Sequence, residues 1–513
     1  MRFVNIVETK PEIRTEGTNV RVEPEQNGER LDIRVAAQEI TRVVLSWPVT
    51  YSGNERVLGD AWERGYGDLE WKAPNALDVL PWYVLIHGDG ITHGYGVMTG
   101  CASFAGWTIA EGKLTIALDM RNGGCATQLN GRELIAASIV CREGKPKETA
   151  YDAARALCGL MCPSPRFPRE PVYGINDWYY AYGKNTQEGI LRDAGFLSGL
   201  TEDLPVRPFA VIDDGWQTAH TDSYNGGPWD RGNDGFPDMK VLADALKKKN
   251  VRPGIWFRPL LTSECFPQDC YLRRDPENSN QDSIGQHFLD PSHPYVLCQV
   301  KEMIRGLRDW GYELIKHDFT TYDIFGRWGF RMGAEMTESG WGFCDRNKTT
   351  AEIILNLYRT LREGAGEDTL ILGCNTVSHL SAGIFDMQRT GDDTSGREWA
   401  RTLKMGVNTL AFRMPQHRTF YGADADCVGI TPLIPWEKNR QWMNLLAESG
   451  TPLFLSADPD AVTPERVTEI RNAFQTLIRR SAYGQAEAIP FNWMETRTPD
   501  QWEIGGELKT FSW

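Results

Sequence analysis

The stretch "YELIKHDF" (312–319) reads as a short buried strand that ends in polar groups, and that reading decides the fold. Strand alternation sends Leu314, Lys316 and Asp318 to one face and Ile315, His317 and Phe319 to the other. An ammonium and a carboxylate sharing the inner face of a strand end fit the mouth of a parallel barrel, where catalytic groups come from the C-terminal ends of strands. The plainer use of such a pair is an internal salt bridge. The sharper one is a carboxylate kept ionised by a neighbouring ammonium, as a nucleophile must be.

Strand signals of the same kind recur at "VYGINDW" (172–178), "RPFAVIDDGW" (207–216), "RPGIWFRP" (252–259), "TLILGC" (369–374), "IFDMQRT" (384–390), "RTFYGAD" (418–424) and "TPLFLSAD" (451–458). Amphipathic helical segments such as "MKVLADALKKK" (239–249) and "AEIILNLYRTLRE" (351–363) fall between them. Eight strands alternating with helices predict a central (β/α)8 TIM barrel over 170–480. A doubly wound open sheet is disfavoured, because no GxGxxG follows the first strand.

Before the barrel, "RLDIRVAAQEITRVVLSW" (30–47) and "KLTIALDMRN" (113–122) alternate apolar and polar residues, with Gly-rich turns such as "GDGITHGYG" (88–96) nearby. They predict an N-terminal β-sandwich domain over 1–165, closed by a helix at 147–161 and the Pro-rich linker "CPSPRFPREP" (162–171). After it, "WEIGGELKTFSW" (502–513) predicts a small C-terminal β region over 481–513.

A formal charge of −14 argues against nucleic acid or an anionic membrane as partner and suits a neutral carbohydrate. The eleven cysteines are scattered without CxxC spacing, and "MRFVNIVETKPEIRTEG" (1–17) lacks the apolar run of a signal peptide. No apolar segment is long enough to span a membrane, so a cytoplasmic protein is expected. The eight histidines include no HxH or HExxH, so neither a metal nor another cofactor is expected. The sequence is silent on oligomeric state, and a homo-oligomer is compatible with it.

Polar residues collect at the predicted strand ends: Asn176, Asp177 and Trp178; Asp213, Asp214 and Trp216; Trp256 and Arg258; Lys316 and Asp318; Cys374; then Arg389 with the adjacent Asp392 and Asp393. Carboxylates from different strands surrounded by tryptophans make a site for a neutral polyol. In "RTGDDTSGREW" (389–399), continued alternation pairs Arg389 with Asp393 and turns Asp392 away. Ser395 and Glu398 form a capping-box pattern for the next helix, which leaves Asp393 free of capping duty. Asp392 is expected to raise the pKa of Asp393 by like-charge repulsion. The Trp-rich loop "GDAWERGYGDLEW" (59–71) either reaches over the barrel mouth or packs at the domain interface.

Taken in order, "VIDDGW" (211–216), "GIWFRP" (254–259), "IKHDF" (315–319) and "CNTVSHLSAGIFDMQRTGDDT" (374–394) resemble the α-galactosidases of glycoside hydrolase family 36, with family 27 more distant. The resemblance implies a retaining exo-α-galactosidase that cleaves terminal α-linked galactose by double displacement. It makes Asp318 the nucleophile and Asp393 the acid/base. Asp213 and Asp214 then bind the 4- and 6-hydroxyls of galactose, Lys316 and Arg389 hold further hydroxyls, and Trp216 and Trp256 line the sugar pocket. Trp178, Arg258 and Cys374 complete the candidate substrate-binding set. The chain departs from the family at His317 and Arg258. Alternatives are the same machinery acting on α-N-acetylgalactosaminides or another galacto-configured glycoside, a transglycosylase, and, outside this class, a non-catalytic carbohydrate-binding barrel.

Overall fold

A computed structural model describes residues 1–272, 287–337, 340–482 and 488–513. Its N-terminal part holds two antiparallel sheets, one of five strands and one of six. The alternation in "RLDIRVAAQEITRVVLSW" is realised as predicted: Ile33, Val35, Val43, Leu45 and Trp47 are buried along the strands Arg30–Ala36 and Glu39–Pro48. The helix Ala150–Met161 follows, started by the Thr149 side chain accepting from the Asp152 backbone N–H.

The centre of the molecule is a nine-stranded, all-parallel, TIM-like sheet. Its strands are β1 (Tyr173–Asn176), β2 (Phe209–Ile212), β3 (Arg252–Phe257), β4 (Leu314–His317), β5 (Leu370–Gly373), β6 (Met387–Arg389), β7 (Gly422–Asp424), β8 (Cys427–Ile430) and β9 (Leu453–Ala457). Their spatial order is β7-β6-β5-β4-β3-β2-β1-β9-β8. The sequence predicted eight strands; the ninth arises because residues 422–430 break at Ala425–Asp426, where Asp426 takes φ 72°. The segment before the break pairs with β6 and the segment after it with β9.

Alternation in these short strands separates two cores. Phe209, Val211, Leu314, Leu372, Met387 and Phe454 form one cluster, while Ala210, Ile212, Ile315 and Ile371 join the cluster shared with the helices. His317 follows Ile315 outward, where its ring lies edge-on to Tyr358 and Phe385. Burial holds this imidazole neutral, at about 3. His317 is therefore a packing residue, and its departure from the family pattern does not alter the strand's inner face.

The helices Met239–Lys248 and Thr350–Ala365 fall where the amphipathic segments predicted them, and Gln187–Thr201, Pro294–Asp309, Trp436–Ser449 and Pro464–Ala482 are the other long helices of this region. Among the described residues, no helix is long and apolar enough to cross a membrane. The C-terminal strands Ala488–Pro490, Gln501–Ile504 and Glu507–Thr510 form an antiparallel three-stranded sheet.

Gly174 shows how tightly the inner strands approach. At φ 153° a Cβ would sit 1.9 Å from the Phe209 carbonyl oxygen on the neighbouring strand. Gly174→Ala is expected to destabilise the protein by about 1–3 kcal/mol, the usual cost of overpacking. Thermal unfolding of the purified variant reads this directly.

Candidate active site

Asp318 leaves the end of β4, and its carboxylate is surrounded by donors. Oδ1 accepts from the backbone N–H groups of Phe319 (2.7 Å) and Asn375 (3.1 Å), and Oδ2 accepts from the Trp256 indole (3.0 Å). The register between β3 and β4 sets Trp256 beside Lys316, which carries the indole to this position. Burial alone would raise the Asp318 pKa. The Arg64 and Lys316 cations and the indole N–H outweigh both burial and the nearby Asp393 charge, and hold the carboxyl below its usual range. This is the ionised form that a nucleophile requires.

Lys316 Nζ forms a 2.7 Å ion pair with Asp213, whose Oδ2 also accepts from Asn176 Nδ2 at 2.6 Å. The paired aspartates after β2 then part company. Asp214 turns to Gln217 (2.7 Å), His220 (3.2 Å) and Asn225 (3.0 Å). Beneath them, the Asp177 carboxylate accepts from the Asp213 backbone N–H at 2.7 Å. Burial and the Asp213 charge push Asp177 up to about 7.

Asp393 follows β6. Its Oδ1 lies 3.2 Å from Arg389 Nη2 and 4.0 Å from Arg64 Nη1, and its side chain is 37% exposed. Burial works to raise its pKa, but the Arg389 and Arg64 charges prevail and hold it low. The expected tuning by Asp392 is therefore corrected. Asp392 is neutralised by Arg64 at 2.6 Å and Arg401 at 2.8 Å, and cations dominate the field at Asp393. β6 ends at Arg389, so strand alternation does not extend to the two aspartates: both approach Arg64, while Asp392 also meets Arg401 and Asp393 also meets Arg389. The predicted capping box does not form. Ser395 Oγ accepts from the Arg397 and Glu398 backbone N–H groups, but the helix begins only at Trp399.

Two further predicted binding residues need correction. Trp216 is fully buried, donates its indole N–H to the Trp256 carbonyl at 3.0 Å, and packs on Trp229 and Trp310. It lies behind the wall of the site instead of forming its surface. Arg258 is buried in a bidentate pair with Asp323 (3.0 and 2.5 Å) and stacks over Phe319 at 4.1 Å, so its charge is already spent. Cys374, at the end of β5, is buried under Arg389 Nη1 (3.4 Å) and Arg64 Nη1 (3.5 Å). Trp178 is half-buried beside Tyr182.

Sequence reasoning gave no role to Asp426, Glu63 or Arg64. Asp426, in the break between β7 and β8, pairs with Arg389 at 2.8 Å and accepts from the Thr394 backbone N–H at 2.8 Å, while the Tyr179 hydroxyl also donates to it. It thereby fixes both neighbours of Asp393. The repeated aspartates of "GADADC" (422–427) were the available signal. The 59–71 loop does reach the strand ends: the Gly65 N–H donates to the Thr390 carbonyl (2.8 Å) and the Asp392 N–H to the Gly65 carbonyl (3.0 Å). Its Arg64, 4% exposed, touches Asp392 and Cys374 and approaches Asp393.

Asp269, Cys270 and His293 place one ligand atom each within 4.8 Å of one another. His293 Nδ1 already accepts from the Tyr295 backbone N–H, which leaves the proton on Nε2 facing Asp269. That arrangement suits a helix cap better than a metal ligand.

No protein-family sequence model matches the chain. Its fold is similar to that of solved α-galactosidases. An α-galactosidase of Thermus thermophilus, solved with p-nitrophenyl α-D-galactopyranoside, superposes with a TM-score of 0.63 at 19% identity, covering 97% of this chain and 99% of the other. The same enzyme solved with stachyose gives 0.60 at 20% identity, over 90% and 96%. The GH36 α-galactosidase AgaB of Geobacillus stearothermophilus gives 0.61 at 14% identity, over 92% and 74%. In three dimensions, then, the chain resembles the GH36 α-galactosidases, and at these identities the likeness is one of fold.

Proposed function

We propose that the protein is a retaining exo-α-galactosidase, with Asp318 as nucleophile and Asp393 as acid/base. The observation that carries this reading is the contrast between the two carboxyls. Asp318 is buried, ionised and held by three donors, whereas Asp393 is partly open to solvent on a different strand end. In a retaining glycosidase, one carboxylate attacks the anomeric carbon while the other protonates the leaving oxygen and later activates water, across about 5–5.5 Å. Asp213, Asp214, Lys316 and Arg389 supply the hydroxyl-binding groups, with Trp178, Trp256 and Cys374 beside them. The substrate is a neutral oligosaccharide ending in α-linked galactose. The reading takes β7 and β8 as one broken strand of a (β/α)8 barrel over 170–480, flanked by an N-terminal sandwich over 1–165 and a β region over 481–513. All eleven cysteines are free, which suits a cytoplasmic setting.

The charges also set the order of proton transfers. Against the effect of burial, Arg389 and Arg64 keep Asp393 low in the free enzyme. A sugar that displaces water from its open side favours the protonated form, as desolvation does for any carboxyl. Once Asp318 is esterified its negative charge is gone, the mutual repulsion ends, and Asp393 returns to its ionised, basic form.

Asp318→Ala is expected to abolish release of p-nitrophenol from p-nitrophenyl α-galactoside. Asp393→Ala should slow cleavage of unactivated galactosides by about 10²–10⁴-fold, the usual worth of a general acid. Such a substrate left intact by wild-type enzyme, or inversion of the anomeric proton signal in the first product, would sink the reading. The pH dependence follows from the same cations. Asp393 held low places the basic limb of the kcat/KM profile on the acid side of neutrality. Arg64→Met removes a cation that favours the ionised form, so that limb should move to higher pH.

A further inference from the structure

Glu63 is a carboxylate buried completely at the edge of the site, and no part of the double-displacement chemistry uses it. Three donors converge on it. Oε1 accepts from the Gly329 backbone N–H at 2.7 Å and from the Tyr66 hydroxyl, and Oε2 accepts from Asn375 Nδ2 at 2.7 Å. Burial pushes the Glu63 pKa up, against the Arg64 charge and the Tyr66 and Gly329 donors, and a loop that only had to pack against the strand ends would gain nothing by burying a carboxyl there.

The informative partner is Asn375. Its backbone N–H is one of the two amides on Asp318 Oδ1, at 3.1 Å. Its side-chain oxygen accepts from the Tyr322 N–H (2.9 Å), and its carbonyl accepts from Thr320 and Thr321 in the turn of helix that follows Asp318. Asn375 is thus held from one side by the Asp318 segment and from the other by Glu63 alone among the side-chain contacts described.

We propose that Glu63, delivered from the N-terminal part of the chain, is a positioning residue for the nucleophile: by gripping the Asn375 side chain it aims the Asn375 backbone N–H at Asp318. The proposal rests on the reading of Asp318 as nucleophile. It makes the strand ends of the parallel sheet incomplete without the 59–71 loop. Glu63→Gln sets two amide groups against each other, because a glutamine cannot accept from both Gly329 and Asn375 with the other donors in place. The reciprocal exchange E63Q/N375D restores a donor facing an acceptor, still leaves an acceptor for Tyr322, and keeps the backbone N–H on Asp318.

The test is carboxyl carbon NMR titration of Asp-labelled protein, with D318N and D393N identifying the two signals. Asp318 faces Arg64, Lys316, Asp393, Cys374 and His317, all left in place by E63Q, N375A and E63Q/N375D, and loss of Glu63's own negative charge would by itself lower the Asp318 pKa. Losing a donor to the ionised form raises a carboxyl pKa, so E63Q should move Asp318 up by about one unit while Asp393 stays in place. The double exchange should return it. On p-nitrophenyl α-galactoside, E63Q should lower kcat by about tenfold with KM little changed, corresponding to one unit of lost stabilisation. If E63Q does not fold, N375A keeps the backbone N–H, cuts the tether, and reads the same shift. An Asp318 titration unchanged in E63Q would overturn the proposal. So would a parallel shift of Asp393, which would mean that Arg64 had moved, or a double exchange that fails to restore Asp318. The titration needs no substrate, so wild-type protein inert on galactosides would end the activity reading and leave the titration to decide this one.

Discussion

The buried ion pair between Arg413 and Asp60 is the contact on which the site depends. Both side chains are about 1% exposed, and Nε meets Oδ1 at 2.8 Å. Gln416 supports the other carboxylate oxygen at 2.8 Å. The same guanidinium donates to the Glu63 carbonyl from the loop and to the Thr390 carbonyl from the end of β6. One arginine of the parallel-sheet region therefore seats the N-terminal loop against the segment that carries Asp393. A buried pair of this kind adds little net stability over apolar packing of the same volume, because desolvation offsets most of the Coulomb gain. What it gives is a single register. With Asp60 and the Glu63 carbonyl fixed, the Glu63 and Arg64 side chains enter the mouth at set positions, and a slipped loop would leave charges unpaired in a dry interior.

Around that anchor the site is a lattice of alternating charge. Asp213 and Lys316, and Asp426 and Arg389, pair across different strand ends, and Asp392 pairs with Arg64 of the N-terminal loop, all at 2.6–2.8 Å. Each pair is locally neutral, which lets many ionised groups crowd together without the repulsion that bare carboxylates would suffer. Asp318 and Asp393 stand beside Arg64 outside these pairs. Asp318 is held by neutral donors, and Asp393 shares Arg389 with Asp426. A group whose partner is shared changes protonation at lower cost than one locked in its own ion pair. That difference sets the reacting carboxyls apart from the paired Asp213, Asp392 and Asp426.

The legible part of this arrangement was its local part. Lys316 and Asp318 lie on one face because strand geometry leaves no other choice, and the outward turn of His317 follows from the same rule. Each strand end could be read from a few consecutive residues. The errors lie where a side chain's partner is remote in sequence. Arg258 looks available until Asp323, 65 residues on, takes its guanidinium, and Trp216 looks like a pocket wall until Trp229 and Trp310 cover it. The pKa of Asp393 was misjudged for the same reason: the adjacent Asp392 is visible in sequence, but Arg64, more than 300 residues away, is not. The break at Asp426 was hidden because its left-handed residue is an aspartate, with no glycine to announce the turn.

That break also explains why a parallel sheet would interrupt one of its own strands. A continuous segment from Gly422 to Ile430 would commit the Ala425–Asp426 amides to ladder hydrogen bonds and send alternate side chains to fixed faces. Turning Asp426 to positive φ withdraws it from the ladder and lets its carboxylate meet Arg389, Thr394 and Tyr179 together. The cost is a left-handed non-glycine residue, of order 1–2 kcal/mol. In exchange, Asp393 is held between Arg389 and Thr394, two neighbours that cannot move independently because one carboxylate grips both. Backbone strain at Asp426 and a buried carboxyl at Glu63 thus serve one end: each spends stability outside the reacting groups to fix the direction of a donor or acceptor beside them.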